Sequence, residues 1–200
     1  MPKRVDAQQQ RALIANAALT VIDGVGLDAV RLRDVAREAR LTTGAVTHYF
    51  DGKDAVLEAA LSEVVRSTLS RLEHGRSKAP RNVSAFVEQL SCYLPLGGAD
   101  KREWRIWIAF WGRAIVDKRL RAIHSQYYAS FVAHVEWALS VLKPDSKSSI
   151  RKRYADSVIA ALDGVGTRAT LEPDDWPARR QKDTLAMLAL PLLQDFMKSA

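Results

Sequence analysis

Apolar residues recur every three or four positions along almost the whole chain, and no stretch alternates long enough to read as a half-buried strand. The pattern predicts an all-α fold of about nine helices. Leu13, Ile14, Ala17, Ala18, Val21 and Ile22 form one apolar stripe, which predicts a first helix from about Ala7 to Asp23, stopped by Gly24 and Gly26. A short second helix carries Leu32, Val35, Ala36 and Ala39 on one face. A turn at Arg40-Leu41 leads to Thr42, whose hydroxyl suits the cap of a third helix, Thr43 to Tyr49. After a turn at Asp51-Gly52-Lys53, a longer helix runs from Asp54 to about Glu73. The polar run Gly75-Arg76-Ser77-Lys78-Ala79-Pro80 interrupts the pattern. Five more helices follow, at about Arg81 to Tyr93, Lys101 to Ile115, Lys118 to Leu142, Lys147 to Leu171 and Ala178 to Lys198. Gly97-Gly98, Lys143-Pro144 and Glu172-Pro173 separate them, and Pro191 is expected to kink or break the last one. Residues 1–53 read as a small three-helix domain and residues 54–200 as a larger helical one, with the helix over 54–73 connecting them.

Composition narrows the function classes. Thirty Lys and Arg against 23 Asp and Glu give a formal net charge of +7, which favours a polyanionic partner but is spread along the chain. No apolar run reaches membrane-spanning length, and the basic N-terminus is followed by polar residues rather than an apolar signal core. The expectation is a soluble cytoplasmic protein with no membrane partner. Cys92 is the only cysteine, so neither an internal disulfide nor a cysteine-based zinc site is available, and it reads as a small packing residue. His48, His74, His124 and His134 are scattered, none has metal-ligand spacing with another, and no glycine-rich phosphate loop precedes a lysine. With no nucleophile–base set, no metal and no cofactor expected, an enzyme is not the reading.

The stretch Leu32 to Lys53, LRDVAREARLTTGAVTHYFDGK, has the layout of a helix-turn-helix: two short helices around a tight turn with another helix behind. Val35, Ala36, Ala39, Val46 and Phe50 are expected to pack on Leu13, Ala17 and Val21. That leaves Thr43, Gly44, Thr47 and His48 outward, where hydroxyls can meet base edges and a residue without a side chain lets backbone approach a duplex. The amides at the start of that helix, beside Thr42, favour a phosphate.

From Leu13 through Leu57 the chain resembles the DNA-binding domain of TetR-family repressors, most densely over Thr42-Thr43-Gly44-Ala45-Val46-Thr47-His48-Tyr49-Phe50-x-Gly52-Lys53-Asp54-x-x-Leu57. The resemblance implies that Tyr49 and Lys53 reach backbone phosphate, that Phe50 lies in the core, that Arg33 also reaches phosphate, and that Thr43, Thr47 and His48 face the groove. Two positions depart from the family pattern. Arg40 stands where the turn usually has glycine, which costs about 1 kcal/mol if the backbone is left-handed but places a cation near DNA. Val30-Arg31 stands where a threonine or serine commonly caps the second helix, with Arg31 as the substitute phosphate contact.

All five tryptophans lie beyond Glu73. Trp104, Trp107, Ile108, Trp111 and Ile115 share one helical spacing, and Ile106 and Phe110 cover another side, so this helix is expected to be central. Such rings serve equally as core or as the wall of a ligand pocket. A second resemblance lies here: Trp107-x-Ala109-Phe110-Trp111, with Ala160-Ala161-Leu162-Asp163-Gly164 and Arg168-Ala169, is similar to the C-terminal domain of BetI-type regulators. In that group the effector is choline. The resemblance implies a small-molecule effector, a choline-like cation being one option, held by aromatic faces and a carboxylate. Trp104, Trp107, Trp111, Tyr127 and Asp163 are the candidate contacts. Gly166 departs from the group, which often has tryptophan there. The family reading also implies a double-stranded DNA operator, and a homodimer through the last two helices, whose apolar stripes are Val158, Ala161, Leu162 and Val165, and Leu185, Leu188, Leu192 and Phe196.

Overall fold

The computed structural model describes residues 6–76 and 78–199; the first five residues of the small domain, Ser77 in the polar interruption, and Ala200 lie outside the described residues. The described residues form nine α-helices and no strand: α1 (Ala7–Val25), α2 (Leu32–Glu38), α3 (Thr43–Tyr49), α4 (Gly52–Arg76), α5 (Val83–Ser91), α6 (Gly98–Ala114), α7 (Lys118–Leu142), α8 (Ser148–Leu171) and α9 (Ala178–Lys198). They group into two compact units. One holds residues up to Thr68 together with Ile106–Ser125, and the other Leu69–Arg105 together with Gln126 onward. The boundary expected at residue 53 falls inside the first unit, just after the start of α4.

In the first unit, α1 is started by Asp6, whose carboxylate accepts from the Gln8 amide at 3.0 Å, and ended by Gly26 at φ 77°. Gly24 does not stop it and lies within its last turn. The buried side is Ile14, Ala15, Ala17, Ala18, Leu19 and Ile22. Leu13, expected in the stripe, is instead 46% exposed. Because α1 packs against both α2 and α3, its buried arc is wider than one stripe and is centred nearer Ala18. Val35, Val46 and Phe50 close this small core at 0–3% exposure.

The turn between α2 and α3 is a Schellman closure. Leu41 N–H donates to Ala36 C=O at 2.8 Å and Arg40 N–H to Arg37 C=O at 3.1 Å, with Arg40 at φ 57°. The missing glycine therefore carries the steric cost anticipated from the sequence. Arg31 precedes α2 without a side-chain cap, whereas the Thr42 hydroxyl accepts from the Ala45 amide at 3.1 Å.

In the second unit, α9 packs against α8 and α5. Val158, Leu162, Val165, Leu185 and Phe196 are 0–2% exposed within the single chain, so most of the stripe assigned to a second copy is this unit's own core. The apolar surface left outside is Leu171, Met187, Leu188 and Met197. Pro191 neither ends nor interrupts α9. The carbonyl that its missing N–H leaves free belongs to Met187, at a residue 73% exposed, where water can serve it. Two expectations for α6 need correction as well: it begins at Gly98 and ends at Ala114, and Ile115 lies beyond it at 72% exposure rather than on its apolar face.

Replacing Arg40 with glycine removes the left-handed penalty. Arg40→Gly is expected to stabilise the fold by about 1 kcal/mol and raise the midpoint of thermal unfolding by roughly 2–4 °C. A calorimetric scan that shows no rise would mean that the turn is not strained.

Candidate nucleic-acid interface and ligand cluster

The first unit presents one polar, cation-flanked surface. Thr42, Thr43, Gly44, Thr47 and His48 are exposed on α3, with Arg31, Arg33 and Arg40 exposed before and around it. Tyr49 and Lys53 are half-buried, and Phe50 is buried. The arrangement follows from the spacing: Val46 and Phe50 turn inward, which forces the positions between them outward. The Thr47 hydroxyl donates back to its own helix, with Thr43 C=O at 3.2 Å and Gly44 C=O at 3.1 Å, leaving its oxygen able to accept. The His48 and Tyr49 rings meet edge to face, 5.1 Å between centroids. The Lys53 ammonium donates to Asp28 C=O at 2.7 Å, so it is already held at the edge of this surface.

Two contributors were not visible in the sequence pattern. Arg11, on the polar side of α1, donates to the Tyr49 carbonyl and lies 4.4 Å above the Phe50 ring, which fixes the end of α3. Arg113 at the end of α6 pairs with Asp54 at 3.1 Å and Asp28 at 3.7 Å, bracing the start of α4 and the loop that holds Lys53. Partners 38 and 59 residues apart leave no mark in local periodicity.

The second unit gathers Trp104, Tyr127 and Asp163 of the candidate ligand residues. Trp104 is buried, and its indole N–H donates to Tyr93 C=O at 2.7 Å. Its ring lies on the backbone of Gly166: a Cβ at that position would stand 2.1 Å from Trp104 Cη2. Glycine at 166 is thus the space that the Trp104 ring occupies. One helical turn earlier, Asp163 accepts from the Tyr128 hydroxyl at 2.7 Å. Burial pushes the Asp163 carboxyl up to about 6, against the lowering by the Tyr128 hydrogen bond. Tyr127 is buried, 5.4 Å from Tyr128 and 6.1 Å from Phe131 between ring centroids. Burial first, then the neighbouring carboxylates Glu103 and Asp163, raise its hydroxyl well above the ordinary range. Tyr128 was missed as the partner of Asp163. Trp107 and Trp111 belong to the first unit, where Trp107 is buried and Trp111 meets His124 edge to face at 6.3 Å.

Comparison with known proteins places names beside this geometry. Residues 14–60 match the family described as bacterial regulatory proteins, tetR family, and residues 79–189 match the BetI-type transcriptional repressor C-terminal family. The chain is 29% identical over 181 residues to the HTH-type transcriptional regulator BetI of Vibrio atlanticus, covering 87% of this chain and 86% of that one. It is 30% identical over 182 residues to BetI of Burkholderia lata, covering 86% and 87%. Among solved structures it resembles a transcriptional regulator from Rhodococcus, with TM-score 0.80 and 26% identity over 92% of this chain and 96% of that one. A regulator from Saccharomonospora viridis in complex with choline shares the fold, with TM-score 0.78 and 18% identity over 96% of each.

A folded-state carboxyl raised above its unfolded value binds more protons in the native protein. Its contribution therefore falls as pH rises from about 4 through 6 and is flat above that. Asp163→Asn is expected to flatten this slope, removing a loss of up to about 3 kcal/mol, in denaturant melts of parent and variant across the window. Parallel slopes in the two proteins would show that Asp163 titrates normally.

Proposed function

Since the chain belongs to the TetR family of transcriptional regulators, with a BetI-type C-terminal domain, we propose that it binds a double-stranded operator as a homodimer and leaves it when a small organic cation fills the second unit. The observation that carries the DNA role is the exposed row Thr42, Thr43, Gly44, Thr47 and His48 between Arg31, Arg33, Arg40, Tyr49 and Lys53. The polar row suits base edges, and the cations and the tyrosine hydroxyl suit phosphates on either side of a groove. Residues 1–53 carry this reading head, and the helix over 54–73 joins it to the dimerising, effector-binding remainder. As a regulator inside the cell that contacts DNA, its place is the cytoplasm.

The effector reading rests on Asp163. A carboxylate pushed up by burial, with a neutral tyrosine hydroxyl as its hydrogen-bond partner, gains most from a cation, and Trp104 and Tyr127 supply aromatic faces to the same unit. Choline fits this chemistry, and the Saccharomonospora viridis regulator of the same fold was solved with it. Release requires that the effector favour an arrangement in which the two reading heads no longer fit the operator, and α4, which contributes to both units, is the connecting element. Coupling of about 1–3 kcal/mol changes operator affinity roughly 5- to 150-fold.

A gel shift on the chain's own upstream DNA tests the reading head. Tyr49→Ala and Lys53→Ala are expected to weaken binding to every sequence with the fold intact, and Lys53→Ala also to lower the salt slope by about one. Affinity unchanged in both variants rejects the assignment. Adding choline is expected to release the parent's operator and to fail with Asp163→Asn; equal release from both proteins removes the cation site. The dimer is assigned to the exposed apolar residues of α8 and α9, so Met187→Glu is expected to yield monomers in light scattering at micromolar concentration. A parent that is itself monomeric there contradicts the assembly.

A further inference from the structure

The side chains on α3 exclude the commonest ways of reading a base. The helix holds no Arg, Lys, Asn or Gln. Arg and Lys are the usual paired partners of the guanine edge, and Asn and Gln those of adenine. What α3 presents instead is small. Gly44 and Thr47 are both exposed, and their spacing of three puts them on one face of the helix. A Cβ added at Gly44 would meet nothing nearer than Thr42 Oγ1 at 3.9 Å. Glycine there leaves an open step on the outer face, one helical turn before Thr47.

Thr47 is oriented by its own helix. A hydroxyl has one proton, and this one is spent on Thr43 C=O at 3.2 Å and Gly44 C=O at 3.1 Å. The oxygen can accept from a base edge but has no proton to give. Guanine N7 and O6 are acceptors, so they find no donor in it. The methyl on the same Cβ is the group left uncommitted. Thymine alone among the four bases carries a methyl into the major groove. Such a methyl, entering a step that no side chain fills and packing on a second methyl, leaves water without stranding a polar atom. The adenine paired with it offers an amino hydrogen, the partner that an accepting hydroxyl suits.

We infer that each operator half-site carries a thymine whose 5-methyl group seats over Gly44 against the Thr47 methyl, and that these two residues set the preference for thymine at that position. The inference rests on the reading head proposed above and names what that head reads.

Replacing thymine with deoxyuridine removes the methyl and nothing else. The full-length protein is titrated in gel shifts against its own footprinted operator, with each thymine of the protected half-sites replaced in turn. One position in each half-site is expected to lose roughly fourfold in affinity, and an operator replaced in both about fifteenfold, as for one and two buried methyl groups. Thr47→Ser keeps the hydroxyl and drops the methyl, so it is expected to bind the thymine and deoxyuridine operators alike. Thr47→Val keeps a methyl and drops the hydroxyl, and is expected to retain the difference. Gly44→Ala fills the step. It is expected to bind both operators weakly and equally, with the salt slope unchanged because no phosphate contact is lost. Indifference to deoxyuridine at every protected position overturns the inference, as does a difference that persists in Thr47→Ser or vanishes in Thr47→Val. A footprint without any thymine effect leaves the reading head standing and removes only this assignment. A protein that gives no footprint sinks both.

Discussion

A helix of seven residues does not hold itself together in water, because nucleation costs more than so few hydrogen bonds return. Helix α3 is of that length, so its existence depends on tertiary burial. Val46 and Phe50 supply it by seating against α1 and α2, and the Thr42 hydroxyl satisfies an amide that the first turn leaves open. Arg11 completes the arrangement from α1 by holding the Tyr49 carbonyl and covering the Phe50 ring. The exposed row is a consequence: with Val46 and Phe50 committed inward, Thr43, Gly44, Thr47 and His48 have only the outside left. The lysine at the edge is held in the same way, by the Asp28 carbonyl, in a loop braced by Arg113.

The second unit works from a comparable constraint at Gly166. Because the Trp104 ring occupies the space a side chain would need there, the aromatic surface beside Asp163 comes from α6 rather than from α8 itself. Glycine at 166 leaves room on α8 for the Trp104 ring. The carboxyl of Asp163, raised by burial and met by Tyr128, keeps a polar group on an otherwise aromatic surface.

Much of this was legible in the sequence because it is written in local chemistry. The limits of α3, α7 and α9 are set by a threonine cap, glycines and prolines, and they fall where spacing places them. The left-handed backbone at Arg40 is legible because the motif usually places glycine at that turn, whatever residue stands there. What periodicity does not encode is which arc of an apolar helix faces which neighbour. Leu13 turned outward and Ala15 inward because α1 serves two partners, and most of the stripes on α8 and α9 is buried within the single chain, with Leu188 left exposed. Nor does it encode pairings across long separations: Tyr128 with Asp163 and Arg11 with Tyr49 arise from packing alone.

We propose that α3 and the cations around it read DNA in a two-fold assembly. Hydroxyl-radical footprinting of the region upstream of the chain's own coding sequence tests it most directly. Two protected half-sites related by an approximate two-fold axis, about one helical turn or a multiple of it apart, are the predicted result. Uniform weak protection that tracks only salt, or a single unpaired footprint, would contradict the account.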